Sequence, residues 1–331
     1  MVKRMIIGCV LLFGIVGFSF ASGKKTEEPV PLTIYGLKGP SGVGMIRLFE
    51  SPPDIRGMAV SVEALASGDL MAARFISGEA KVGILPANVA AKIAASGKPV
   101  QLAAVTGLGM LSLLSGDPAV RTIEDLKGKS IAVAGQGAVP DYVFRKILTM
   151  HQIDPETDVK LDYSLAYPEI AQSLIAGRIS LAIIPEPFAT MALQGNDSLV
   201  QVSDIQAEWE KAGGQGNYPI TVLVVDAPFA KENTDAITAI LDAVKDSIRW
   251  VKANPAEAGA LVEKHDLGLK AAVVKASVPR SNYEFIDAWS ARPILRALYQ
   301  TLLEFAPDSI GGRLPDDSFY YRTKADFSLG A

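Results

Sequence analysis

The segment 75–90 of this chain, Phe-Ile-Ser-Gly-Glu-Ala-Lys-Val-Gly-Ile-Leu-Pro-Ala-Asn-Val-Ala, returns at 174–189 as Leu-Ile-Ala-Gly-Arg-Ile-Ser-Leu-Ala-Ile-Ile-Pro-Glu-Pro-Phe-Ala. Gly78 matches Gly177, Pro86 matches Pro185 and Ala90 matches Ala189. Each copy reads as the end of a helix, a glycine turn, and a short apolar strand that stops at a proline and releases a loop. Two such units predict two similar α/β lobes, each with a loop at the carboxyl end of a strand, where open α/β sheets hold ligands.

A chain of 331 residues is long for one core and comfortable for two domains. Hydrophobic residues at 49% and charged residues at 21% are globular values. A net charge of −4, with Lys and Arg scattered, gives no electrostatic reason for nucleic acid, and that class is set aside.

Lys3 and Arg4 precede an apolar run over 5–20, and Ser19-Phe20-Ala21 puts small residues before a cut after Ala21. This is the grammar of a secretory signal peptide at 1–21, and the run is shorter than the ~20 residues a spanning helix needs. An exported protein, periplasmic or cell-surface associated, is the expectation. Cys9, the single cysteine, formally fits a lipobox. Only a short basic stretch precedes it, however, and apolar residues follow it, so it is expected to leave with the signal. The mature domain then has no disulfide and no thiol chemistry.

Further along, Leu32, Ile34 and Leu37 mark a strand running into Lys38-Gly-Pro-Ser-Gly-Val-Gly44, with an amphipathic helix expected from Met45 to Glu50. A strand, a glycine-rich turn and a helix start leave backbone N–H groups free to face a ligand, although the same residues also make a tight connection. The second lobe carries a counterpart, Gly135-Gln136-Gly137-Ala138-Val139-Pro140, before a helix expected from Tyr142 to Met150. This counterpart is neither a dinucleotide fingerprint nor a P-loop, since the third glycine is absent and no Gly-Lys-Ser/Thr follows. Asn88 falls where a helix cap is expected, so capping and ligand binding are its two readings. The segments after 220 read as a return to the first lobe, followed by long helices and a polar tail over the surface. Lobe 1 is thus expected from 30–112 with 221–331 and lobe 2 from 113–220. Two chain crossings, near 111–116 and 216–222, form a hinge.

Enzyme signatures are scarce. The chain has two histidines, His151 and His265, both expected at helix ends facing solvent. No nucleophile elbow, zincin motif or zinc spacing occurs, and neither a cofactor nor a metal is expected. Glu186, held between Pro185 and Pro187, reads either as a partner for an N–H-rich ligand or as an acceptor that fixes its own loop. Arg280 reads as an anion partner or as half of an interlobe ion pair. Of the tryptophans, Trp289 is the one expected nearest the cleft.

Several runs carry a family resemblance: Leu37-Lys-Gly-Pro-Ser-Gly-Val-Gly44, Leu85-Pro-Ala-Asn88, Asp125-Leu-Lys-Gly-Lys129, Gly135-Gln-Gly137, Pro185-Glu-Pro187 and Ser309-Ile-Gly-Gly-Arg-Leu-Pro-Asp-Asp317. On these the chain resembles the substrate-binding proteins of ABC importers, in the nitrate/sulfonate/taurine and pyrimidine-precursor group. The resemblance implies an α/β, type II periplasmic-binding-protein fold, with two lobes joined by a two-strand hinge. It also implies a monomer that captures a small solute, an anion or a heteroaromatic, and delivers it to an ABC permease in the membrane. The pyrimidine-synthesising enzymes of the group use a Cys-rich motif that this chain lacks. The solute is expected between Gly39, Pro40, Ser41, Gly42, Asn88 and Thr106 of one lobe and Gln136, Gly137, Ala138, Val139, Tyr163 and Glu186 of the other. The alternatives are a lyase of the menaquinone-precursor type, with Glu186 as general base, and a ligand-sensing domain.

Overall fold

A computed structural model describes residues 28–133, 135–213 and 216–323. The signal segment and Cys9 lie outside them. The chain runs β1 (Val30–Leu37), α1 (Pro40–Gly44), α2 (Ile46–Glu50), β2 (Met58–Leu65), α3 (Gly68–Ser77), β3 (Val82–Pro86), α4 (Ala87–Ala95) and β4 (Val100–Leu108). It then crosses into β5 (Leu111–Ser115), β6 (Ser130–Val133), α5 (Val139–Met150), β7 (Lys160–Asp162), α6 (Tyr167–Ile175), β8 (Leu181–Pro185), α7 (Phe188–Gly195), β9 (Val200–Asp204) and α8 (Ile205–Lys211). The return passes through β10 (Pro219–Asp226), α9 (Ala227–Glu232), α10 (Thr234–Ala253), α11 (Pro255–Lys264), α12 (Ala271–Ser277), β11 (Ile286–Asp287) and α13 (Ala288–Phe305).

The strands form two sheets, ordered β11-β4-β10-β3-β1-β2 and β7-β6-β8-β5-β9. Beside the edge strand β11, the order β4-β10-β3-β1-β2 of lobe 1 matches β9-β5-β8-β6-β7 of lobe 2. The directions match too. β1 and β3 are parallel, as are β6 and β8, while β10 and β5 each run antiparallel to both neighbours. Each antiparallel strand is the one that arrives from the other lobe. The two lobes therefore hold each other through a reciprocal exchange, with the chain crossing between β4 and β5 and again before β10.

The repeated segments become β3–α4 and β8–α7, at the middle of each sheet. Val-Gly-Ile-Leu and Leu-Ala-Ile-Ile are buried throughout, the continuous apolar run of a strand covered on both faces. Gly78 and Gly177 both adopt left-handed backbone, with φ of 81° and 66°, a conformation that glycine reaches without a Cβ penalty. Ala90 and Ala189 are fully buried.

Three expectations need correcting. First, helix begins at Pro40, inside the glycine-rich run, and breaks at Met45 before resuming as α2. Second, the Pro86 loop is already helical at Ala87, so Asn88 is not the cap; the cap position is Pro86. Third, the carboxyl-terminal segment does more than lie over the surface. Tyr320 pairs with Leu102 alongside β4, and Phe319, Tyr320 and Ile310 are buried. The aromatic residues of this segment supply apolar area that a polar tail would not.

A seam between the lobes

The helices that follow the central strands start at the boundary between lobes: α1 after β1, α4 after β3, α5 after β6 and α7 after β8. At the lobe 1 side, Gly39 precedes α1 with φ 98°, and a Cβ there would meet the Phe188 ring at 3.3 Å. Phe188 opens α7 of lobe 2 and stacks on Tyr167, with ring centroids 5.9 Å apart and 20° between planes. The glycine thus lets the lobe 1 backbone lie against an aromatic pair of lobe 2.

Asn88 and Arg280 of lobe 1 carry polar contacts to lobe 2. Asn88, 1% exposed, donates through Nδ2 to the Gly137 carbonyl at 2.8 Å and to the Ser309 carbonyl at 3.4 Å. Facing two acceptors, the amide is oriented with its nitrogen toward them. That leaves Oδ1 buried without a partner. Glu186, 2% exposed, accepts from the Thr190 backbone N–H at 3.0 Å and from Arg280 Nε at 2.7 Å. Arg280 also donates to Gln201 at 2.8 Å. Glu186 thus holds the start of α7, its loop-fixing reading, and Arg280 pairs with it across the lobes, the ion-pair reading of that arginine.

Behind Gly137 lies a network that the sequence reading passed over. Asp141, 2% exposed, accepts from the Gly137 N–H at 2.9 Å, from Arg145 Nε at 2.8 Å and from the Tyr163 hydroxyl at 2.7 Å. Arg145 donates a second bond to the Tyr163 oxygen at 2.9 Å and contacts Glu156. Burial, followed by the Asp141 carboxylate, pushes the Tyr163 phenol up from its usual range. For Arg145 burial pulls downward, but the Asp141 hydrogen bond and charge outweigh it and keep the guanidinium protonated. The four-residue spacing of Asp141 and Arg145 was the available signal, since residues four apart face each other on a helix.

The structure gathers Gly39, Asn88, Gly137 and Glu186 at the seam and links Tyr163 to it through Asp141. Pro40 opens α1, and the Ser41 hydroxyl bonds back to the Leu37 carbonyl at 3.4 Å. Ala138 precedes α5 and donates to Gly135, while Gln136 is exposed. Other expected residues turn inward. A Cβ on Gly42 would lie 2.6 Å from the Leu37 carbonyl oxygen and 3.1 Å from Leu267; Val139 is core. Thr106 bonds Thr221 across the β4–β10 pairing. The Trp289 ring carries the guanidiniums of Arg292 and Arg322 over it, at 3.9 and 3.4 Å from its centre. That ring sits at the start of α13 against an arginine of the carboxyl-terminal segment. His151 is likewise engaged, its two ring nitrogens meeting Glu124 and Glu208 at 2.6 and 3.1 Å.

Two surface cavities, of about 600 and 350 Å³, lie along Gln101, Ala227 and the carboxyl-terminal segment and contain none of the expected site residues. Among the described residues no helix is long and apolar enough to cross a membrane, and no group of three His, Cys, Asp or Glu side chains is placed to hold a metal.

The geometry has relatives. A Parabacteroides distasonis protein described as an ABC transporter superposes with a TM-score of 0.76 at 25% identity, over 89% of this chain and all of that one. The periplasmic aliphatic sulphonate binding protein SsuA of Escherichia coli does so with a TM-score of 0.70 at 17% identity, over 89% of this chain and 93% of its own, a likeness of fold. In sequence, YtlA of Bacillus subtilis, whose name describes a candidate binding protein, is 24% identical over 194 residues. That match takes in 58% of this chain, which spans about half (55%) of the length of the curated relative. The architecture is the type II periplasmic-binding-protein fold, and with the NMT1-like family model matching residues 53–264, the chain belongs to the NMT1-like family.

Proposed function

We propose that this protein is a non-enzymatic solute receptor: it closes on a small molecule between its lobes and hands it to the membrane permease of an ABC importer. The observation that carries the reading is the reciprocal exchange of β5 and β10. It leaves two matched lobes facing one another across helix starts, joined by two chain crossings. Such a connection permits rigid-body closure, and a solute that contacts both lobes favours the closed form because only that form offers all the contacts. With β5 and β10 each kept whole, the moving bodies are 30–110 with 219–323, and 111–218, two residues from the expected bounds at each crossing. The names of the relatives, one a sulphonate binding protein and one an ABC transporter, agree with this use of the fold.

Within the cleft, Gly39, Pro40, Ser41 and Asn88 form one wall and Gln136, Gly137, Ala138 and Glu186 the other. Gly42, Thr106, Val139 and Tyr163 hold those walls in place. Export by the segment 1–21 belongs to the same proposal, and the mass of the secreted protein tests it: a chain beginning at Ser22 is expected. The receptor reading is tested by thermal unfolding of the mature domain against taurine, alkanesulfonates, nitrate, pyrimidines and a whole-cell metabolite extract. A solute at a hundred times its dissociation constant adds about 2.7 kcal/mol, a readily measured rise in midpoint. A refolded protein that responds to none of them, the extract included, is not a solute receptor.

A further inference from the structure

In lobe 2 the two helix starts that face the seam already carry carboxylates of their own. Asp141 sits in the first turn of α5, with one oxygen on the Gly137 N–H. Glu186 precedes α7, with one oxygen on the Thr190 N–H. These are the positions a bound anion would otherwise take, where N–H groups stand free and the helix dipole favours negative charge. The guanidiniums nearest them are committed as well, Arg145 to Asp141 and Arg280 to Glu186. A third acceptor points the same way. Asn88 Oδ1 is buried at the seam with no donor, while its nitrogen is taken by the Gly137 and Ser309 carbonyls. Lobe 1 differs in sign, since exposed Lys38 adjoins Gly39 at the start of α1.

We propose that Asp141 and Glu186 determine the specificity of the cleft: they close lobe 2 to anionic groups and select a solute that presents hydrogen-bond donors, an amino group or a ring N–H, to that lobe. This rests on the receptor reading. A buried carboxylate cannot accept an anion beside it without like-charge repulsion in a poorly screened site, whereas a donor approaches without that repulsion and gives the orphaned Asn88 oxygen its missing partner. Any acceptor or anionic end of the solute then lies toward Lys38 and lobe 1.

The test uses calorimetric titration of methanesulfonate and nitrate, against chloride at matched ionic strength, into the wild type, Glu186→Gln and Asp141→Asn. The wild type should take up neither anion at millimolar concentration. Glu186→Gln, which frees Arg280 at the seam, should bind methanesulfonate at least tenfold tighter, a gain that loss of a purely structural contact would not produce. Asp141→Asn supplies the same comparison at α5 should Glu186→Gln not fold. Native mass spectrometry of wild-type protein loaded from a metabolite extract should show a solute bearing an amine or ring N–H. Anion binding by the wild type, variants as indifferent as the wild type, or a captured solute with acceptors alone would each overturn the proposal. A wild type that captures nothing refutes the receptor reading instead, and the specificity argument falls with it.

Discussion

Asp141 divides its two oxygens among three donors, the Gly137 N–H, Arg145 and the Tyr163 hydroxyl. Replacing it with alanine leaves a largely buried guanidinium without its main counter-charge and a backbone N–H without its acceptor, and removing one partner of a buried pair costs more than the pair contributes. Asp141→Ala is therefore expected to lose about 3 kcal/mol in urea unfolding; a loss near zero would mean that the network is ornamental. The His151 contacts give a second test at this scale. The hydrogen bond from His151, ahead of backbone donation, draws the Glu124 carboxyl down to about 2 from 4.5. A lowered folded value means that the stabilisation is complete above 4.5 and is lost as pH falls through about 2. In His151→Gln the Glu124 titration, followed by NMR, should move up toward 4.5; an unmoved midpoint would assign the shift to the backbone. Glu186, between two prolines, and Arg280, after Pro279, stood out in the sequence, each with a structural reading beside a ligand one. The role of Asp141 was not. Tyr163 lies far along the chain, and only the β6–β7 pairing brings it to α5.

At the scale of elements, β3–α4 and β8–α7 were readable because fully buried strands leave unbroken apolar runs and because glycine and proline punctuate both copies alike. The start of α1 was not readable. Pro40-Ser-Gly-Val-Gly is a poor helix by propensity, and the helix forms because tertiary contacts override that preference. Its glycine at 42 serves a close approach to the strand behind it, with the Leu37 carbonyl oxygen at 2.6 Å from where a Cβ would stand. That oxygen belongs to the backbone of β1 and cannot swing aside. Gly42→Ala should thus destabilise by about 2 kcal/mol through overpacking, read as a lower urea midpoint with unchanged slope. A variant as stable as the wild type would show that α1 can shift away from β1 at little cost.

For the whole molecule, the question is what holds two matched lobes together across so narrow a connection. One crossing is pinned at Gly109: its N–H donates to the Tyr218 carbonyl at 2.8 Å, and its carbonyl accepts from Asn217 at 3.1 Å and from Asn282. A Cβ there would lie 2.4 Å from Asn217 Oδ1 and 2.6 Å from the Tyr218 ring. On the proposed receptor reading this crossing is the pivot and the angle between lobes is set at the seam, where Asn88–Gly137, Arg280–Glu186 and Arg280–Gln201 are polar ties. Arg280 is half-exposed, and a pair of this kind holds an equilibrium rather than a lock. Arg280→Ala should accordingly shift the solute-free protein toward the open form, raising the radius of gyration seen by small-angle scattering. Bound solute should restore the compact form. Because the apparent dissociation constant is the intrinsic one divided by the closed fraction, affinity should weaken in proportion to the population lost. An unchanged radius together with weakened binding would mean that Arg280 contacts the solute directly and that closure is governed elsewhere.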